Sequence, residues 1–194
     1  MTIEGGPAGL VGYKRAQLVI HPEAPHEVRF AGPVEAQRPY RPDDVFHCRR
    51  GHRRLEPSCT CGFYAVAEPT GLGPHAVRTA LLQVTLEGRV VRHPDCLRGE
   101  RQRVRRVTVS GWCELCVRPA VGLAGTPPLF GVLPSPWLRA LPVCEQDRRL
   151  FDVVLTRAAV EARLGLPVVW DGESESPVVA SLRRLSRARR GAAW

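Results

Sequence analysis

The chain has 194 residues, 44% of them hydrophobic, which suffices for one substantial core with at most a small appendage. No run reaches the roughly 18 to 20 apolar residues of a membrane helix, and "MTIEGGPAGL" lacks the basic and apolar regions of a secretory signal, so the expected location is the cytoplasm, with no membrane partner. The net charge is +9 and Lys14 is the only lysine among 28 basic residues, so charge alone favours polyanions met by arginine, a bias that a GC-rich coding sequence also produces.

The first third reads as short strands at 13–20, 26–30 and 34–40, separated by the turn signals HPEAP and AGP. Residues 47–65, "HCRRGHRRLEPSCTCGFYA", then bring three cysteines and two histidines into nineteen positions. Cys48, His52, Cys59 and Cys61 form C-x3-H-x6-C-x-C, four sulfur and nitrogen donors of the kind zinc takes in a tetrahedron. Gly62 lets the backbone turn tightly after the last thiolate. In an extended C-x-C the two residues stand about 6.6 Å apart, so Cys59 and Cys61 share one ion only if the chain turns between them. His47 is the spare donor. Seven cysteines in a reducing compartment fit a disulfide framework badly, and a redox dithiol would show C-x-x-C beside a βαβ unit. The cofactor expected is therefore Zn2+ in a structural role.

Residues 62–67 leave the cluster as an apolar strand, and 75–81 read as a helical turn. Two β-branched stretches, 81–93 and 101–112, are joined by "PDCLRG" into a long hairpin, with a bend or bulge at Glu87–Gly88. By period-two geometry Arg101, Arg103 and Arg105 share one face. With Arg98, and with Arg183, Arg187 and Arg190 near the C-terminus, they form the expected nucleic-acid contact. A solvated strand face has the same appearance.

"GWCELCVRPA" supplies Cys113-x2-Cys116, the spacing of a zinc knuckle. Cys144 follows, and Cys96 is the candidate fourth ligand, with His93 and Asp147 as alternatives. A three-ligand site would be open and catalytic, but no HExxH or HxE…PCxxC pattern accompanies it, so a closed structural site is expected. Residues 119–136 hold five prolines and read as a loop. Thr156 caps a helix carrying Ala159, Val160 and Leu164, which ends at Gly165 before Pro167. Residues 170–177 read as an acidic linker, and 178–191 as a basic amphipathic helix or frayed tail.

"LVGYKR", then "C…H…CTCGFYA", then "LEGRVVRH…LRGERQRV" resemble an actinobacterial family of unknown function that carries a GY/WR opening and a C…H…P…C-x-CGxYA cluster. "VEARLGLPVV" is similar to a later segment of that family. The resemblance covers about residues 10–105, with a weaker echo at 155–169. It implies Cys48, His52, Cys59 and Cys61 as matching positions, followed by Gly62, Tyr64 and Ala65, and it picks out His93 and Arg101. "RGERQ" replaces the family's usual RA near Arg101.

These readings combine into an α+β, mainly β fold: a small zinc-stabilised antiparallel sheet or barrel with C-terminal helices. Residues 1–170 form one domain and 171–194 a linker and basic tail. The expected function is a zinc-binding module that contacts DNA or RNA through arginine. The alternative is a protein-interaction or assembly factor with purely structural zinc. A metal-dependent hydrolase or nuclease, drawing a base from Asp43, Asp44, His93 or Asp95, has the least support. Nothing in the sequence sets the oligomeric state.

Overall fold

A computed structural model describes residues 2–4, 9–24, 27–32, 38–48, 50–72, 80–116, 118–127 and 136–172. In chain order the strands are β1 (Thr2–Glu4), β2 (Leu10–Ile20), β3 (Val28–Ala31), β4 (Asp43–Val45), β5 (Phe63–Ala65), β6 (Ala80–Arg92), β7 (Leu97–Ser110), β8 (Gly122–Thr126), β9 (Leu138–Val143), β10 (Val154–Thr156) and β11 (Val168–Asp171). One helix, α1 (Arg157–Leu164), lies between β10 and β11, and single 3-10 turns cover Pro69–Leu72 and Asp147–Leu150. The fold is mainly β, a curled antiparallel sheet that forms a half-barrel with the helix against it.

The expected hairpin is the spine of the sheet. Alternation along β6 sends Leu82, Val84 and Leu86 inward, all fully buried, and along β7 it buries Gln102 and Val104. Two irregularities bend the pair. Val84 faces Val104 while Gln83 faces Arg106, so Arg105 is an extra residue on β7. Glu87 faces Arg101 while Val90 faces Gly99, which places the second bulge on Gly88, at φ 75°. The bulge read from "EG" is therefore present.

The long strand β2 turns the sheet on itself. Leu10–Ala16 pair with β6, whereas Gln17–Ile20 pair with β3 and Val19–Ile20 with β9. On the far side β5 pairs with the start of β7. The residue after β5 then reaches β2: Tyr13 and Val66 exchange two backbone hydrogen bonds of 2.7 and 2.8 Å. These bonds join β2, β6, β7 and β5 in a ring. The main core fills the curl, with Phe30, Ile20, Leu82 and Leu123 among its most buried members.

Residues 122–126 were expected in a loop and instead form β8. Close packing explains the small residues there. A Cβ on Gly122 would stand 2.1 Å from the Leu155 carbonyl oxygen, and one on Gly125 2.9 Å from Leu138 Cδ1. Pro119 precedes the strand and the other four prolines follow it. Along the main path the order is β10-β8-β9-β2-β6-β7-β11, and α1 connects the strands at its two ends. Thr156 Oγ1 accepts from the Ala159 amide, Gly165 closes the helix at φ 64°, and Val160 and Leu164 enter the core. β11 runs parallel to β7, to which the chain returns through β8, β9, β10 and α1. Residues 170–171, read as linker, complete β11. Residues 173–177 of that linker, the 178–191 helix or tail with Arg183, Arg187 and Arg190, the 75–79 part of the helical turn and most of the 34–40 strand lie outside the described residues. Within 34–40, Tyr40 forms an isolated bridge to Phe30.

Candidate metal centres

The loop between β4 and β5 turns repeatedly, because Gly51 donates to the Cys48 carbonyl and Cys59 to that of Glu56. The chain turns at 48–51 and at 56–59, and the ligand atoms of Cys48, His52, Cys59 and Cys61 all lie within 4.8 Å of one another. Cys48 Sγ is 3.8 Å from Cys59 Sγ and 3.4 Å from His52 Nδ1. His52 Nε2 points the other way, 3.4 Å from a Glu56 carboxylate oxygen. A carboxylate on the outer nitrogen fixes the tautomer that leaves the inner nitrogen free to ligate. The thiols are already differentiated. Burial raises Cys48, but the backbone amides of His52 and Arg50, with the Cys59 and Cys61 thiols, outweigh it and bring it to about 7. Burial and the two neighbouring cysteines push Cys61 up to about 11. Gly62, at φ 110°, sends the chain into β5, and a Cβ there would meet Leu55 Cδ2 at 2.6 Å.

Two β7 side chains clamp this loop to the sheet. Arg98 is 1% exposed, and its guanidinium donates to the carbonyls of Cys59 and, at 2.9 Å, of Glu56. Glu100 accepts from the Leu55 amide and from Arg89 in the β6 bulge, each at 2.9 Å. Arg98 was expected on the nucleic-acid surface and is instead inside the protein. The signal was its parity: Arg98 is in phase with the buried Gln102 and Val104, not with Arg101, Arg103 and Arg105.

A second group forms where the turn after β7 meets the end of β9. Cys113, Cys116, Cys144 and Asp147 bring their ligand atoms within 4.8 Å of one another. Cys116 Sγ is 3.4 Å from Cys144 Sγ, and one Asp147 oxygen accepts from Cys113 at 3.2 Å and from Cys144 at 3.3 Å. The carboxylate pushes Cys116 up to about 12. Donation from Cys116, Cys113 and Cys144 in turn holds Asp147 below the usual carboxylate range. The fourth member is thus Asp147, not Cys96, which stands in the β6–β7 turn where His93 donates to its carbonyl. The signal was local: "CEQD" repeats the knuckle spacing of "CELC" with aspartate in the last place. The amides of Leu115 and Asp147 donate to the sulfurs of Cys113 and Cys144 at 3.5 and 3.4 Å, as suits thiolates held in tight turns.

Arg101 and Arg105 are exposed and Arg103 partly so, and all three stand among acids. Arg101 Nε is 3.0 Å from Asp43, Arg103 lies 3.4 Å from Asp43 and 3.8 Å from Glu87, and Arg105 donates to Thr85 at 2.9 Å. Among the described residues no helix is long and apolar enough to cross a membrane. Among the described residues two cysteine-rich groups can hold metal. No family model, curated protein or solved structure matches the chain.

Proposed function

We propose that the protein is a zinc-stabilised β-sheet binding module in which two structural Zn2+ ions fix the loops at opposite ends of β7. The observation that carries this reading is the convergence of four donors in each group. A tetrahedral ion with Zn–S near 2.3 Å and Zn–N or Zn–O near 2.1 Å separates its ligand atoms by about 3.8 Å for S–S and about 3.5 Å for S–N or S–O. The first group has 3.8 and 3.4 Å at those separations, and the second has 3.4 Å between sulfurs and 3.2 to 3.3 Å from sulfur to oxygen. Four protein donors leave no open position for a water or substrate, which supports a structural role over a hydrolytic one. Electrostatics agree at the first group: Zn2+ with three thiolates and a neutral imidazole carries one negative charge, and the buried Arg98 guanidinium stands against it. Elemental analysis of the purified chain should find about two zinc per chain. Less than about half an equivalent of any metal overturns the reading.

Contact with nucleic acid retains only part of its sequence support, because Asp43 and Glu87 lower the charge of the Arg101, Arg103 and Arg105 stripe. The expected binding to duplex DNA is weak and falls steeply with salt, as counterion release requires. Replacing those three arginines with serine should cost no more affinity than replacing Arg148, Arg149 and Arg163. A much larger loss from the first set, measured by salt-dependent titration, would establish a local site on β7.

A further inference from the structure

The first zinc loop is also one wall of a cavity of about 990 Å³, bounded elsewhere by β2, β5 and residues 38–47. That volume is at the upper end of the range small-molecule sites occupy, about 300–1,000 Å³. Among the described residues its lining carries Lys14, Arg15, Arg29, Arg38 and Arg41 against one carboxylate, Asp44, and Arg29 is ion-paired with Glu27 at 3.0 Å. Asp44 is turned to its own backbone, accepting from the amides of Arg41 at 3.2 Å and Val45 at 2.8 Å. The sole lysine of the chain lies in this wall, half-buried beside the buried Tyr40. An ammonium has three donors, and Lys14 Nζ has one hydrogen-bond acceptor, Gln102 Oε1 at 3.0 Å. Its remaining contacts are the faces of Tyr40 and Phe63, with ring centroids 4.9 and 5.4 Å away. Among the described residues no carboxylate pairs with it. Beside it the Tyr40 hydroxyl is buried without a hydrogen bond of good geometry, Gln102 being the polar side chain next to it.

We propose that this cavity binds a small organic anion, a phosphate or carboxylate on an aromatic body, with Lys14 taking the anionic oxygen and the Tyr40 and Phe63 rings flanking it. An isolated structural role would favour a neutral side chain at position 14, since a partly buried ammonium with one acceptor destabilises the fold. Burial brings Lys14 down to about 8 because desolvation disfavours the ammonium, and a bound anion would offset that cost. The exposed Arg41 at the rim would draw the anion in. The proposal rests on the zinc reading, because Thr60, Cys61 and Gly62 of the metal loop form part of the wall.

The test uses the full zinc-loaded chain labelled with ε-13C-lysine, in which Lys14 gives the only lysine side-chain signal. Phenyl phosphate, benzoate and inorganic phosphate are titrated separately, with phenol as the neutral control, and zinc is measured on the same sample. A saturable shift with phenyl phosphate or with benzoate, absent with phenol, is expected, and the stronger of the two identifies the anionic group. Calorimetry with that anion on Lys14→Met should show affinity lower on the order of tenfold or more, the weight of a charge-assisted hydrogen bond, with zinc content and melting temperature retained. Arg41→Gln, at the exposed rim, should weaken binding several-fold and serves should Lys14→Met fail to fold. Two zinc per chain with no saturable shift from any anion overturns the proposal and leaves the zinc reading standing. Equal response to phenol, or unchanged affinity in both variants, also overturns it. Absence of zinc from a folded chain that still binds the anion overturns only the zinc reading.

Discussion

Replacing Cys59 with serine should leave a chain that cannot hold its native sheet. Cys59 is a buried member of the first metal group, and its carbonyl is also one of the two that receive Arg98. Binding of structural zinc contributes on the order of 10 kcal/mol in small zinc domains. The whole margin of a folded domain is about 5 to 15 kcal/mol. Losing one site therefore removes most or all of the stability, and the loop between β4 and β5 loses what holds it to the sheet. The expected result is an insoluble chain, or one with a collapsed near-ultraviolet circular dichroism spectrum and fewer than two zinc. Cys96→Ser, altering a cysteine outside both groups, should keep the native spectrum and both ions. A Cys59→Ser chain with a native spectrum and an unchanged melting temperature would show that this group holds no structural metal.

The second large effect belongs to Arg98. Methionine at this position keeps much of the volume but donates nothing, so the Cys59 carbonyl loses its guanidinium donor and the Glu56 carbonyl is left with the Cys59 amide alone. Two hydrogen bonds from a charged donor are worth about 3 to 5 kcal/mol together. For a domain of this size that corresponds to a fall in melting temperature of about 10 °C. The change should also reach the metal, because the same carbonyls belong to the loop that carries the ligands. A chelator should strip the first site of Arg98→Met well before that of the unaltered protein. Arg98→Lys should recover part of the loss, since lysine restores the charge but not the planar fork that reaches two carbonyls at once. A melting temperature within about 2 °C of the unaltered protein would mean that the guanidinium does not hold the loop.

What could be read from the sequence was local in the chain. Cys48, His52, Cys59 and Cys61 lie within fourteen residues, and Thr156 and Gly165 bracket a single short helix, so spacing alone locates them. Asp147 was legible by the same rule, but a carboxylate ends the "CEQD" turn where a cysteine was sought, and Cys96 was preferred because it is a thiol. Arg98 was placed with the wrong neighbours because it was grouped by charge, although its parity along β7 matched the buried residues. The remaining features depend on register between distant strands. Asp43 neutralises the arginine stripe only because β4 sets it opposite Arg103. The Tyr13–Val66 closure joins residues more than fifty positions apart. The cavity around Lys14 exists because that closure, the metal loop and Tyr40 meet, and no spacing within any one of these segments encodes the meeting.

The placement of β10 and β11 has a consequence for how the molecule is made. They stand at opposite ends of the strand order, yet they are the last two strands described and are separated by one short helix. Until residues 154–171 have emerged and docked, β8 and β7 each present a row of unpaired amides and carbonyls along part of their length. Such rows recruit strands from other molecules, and the hazard is greatest while a chain is still being completed. One eleven-residue connection, 157–167, thus blunts both ends of the sheet in a single docking event. A chain interrupted before Val154 would expose two sticky margins at once, and its failure would be intermolecular association, not simple loss of the core.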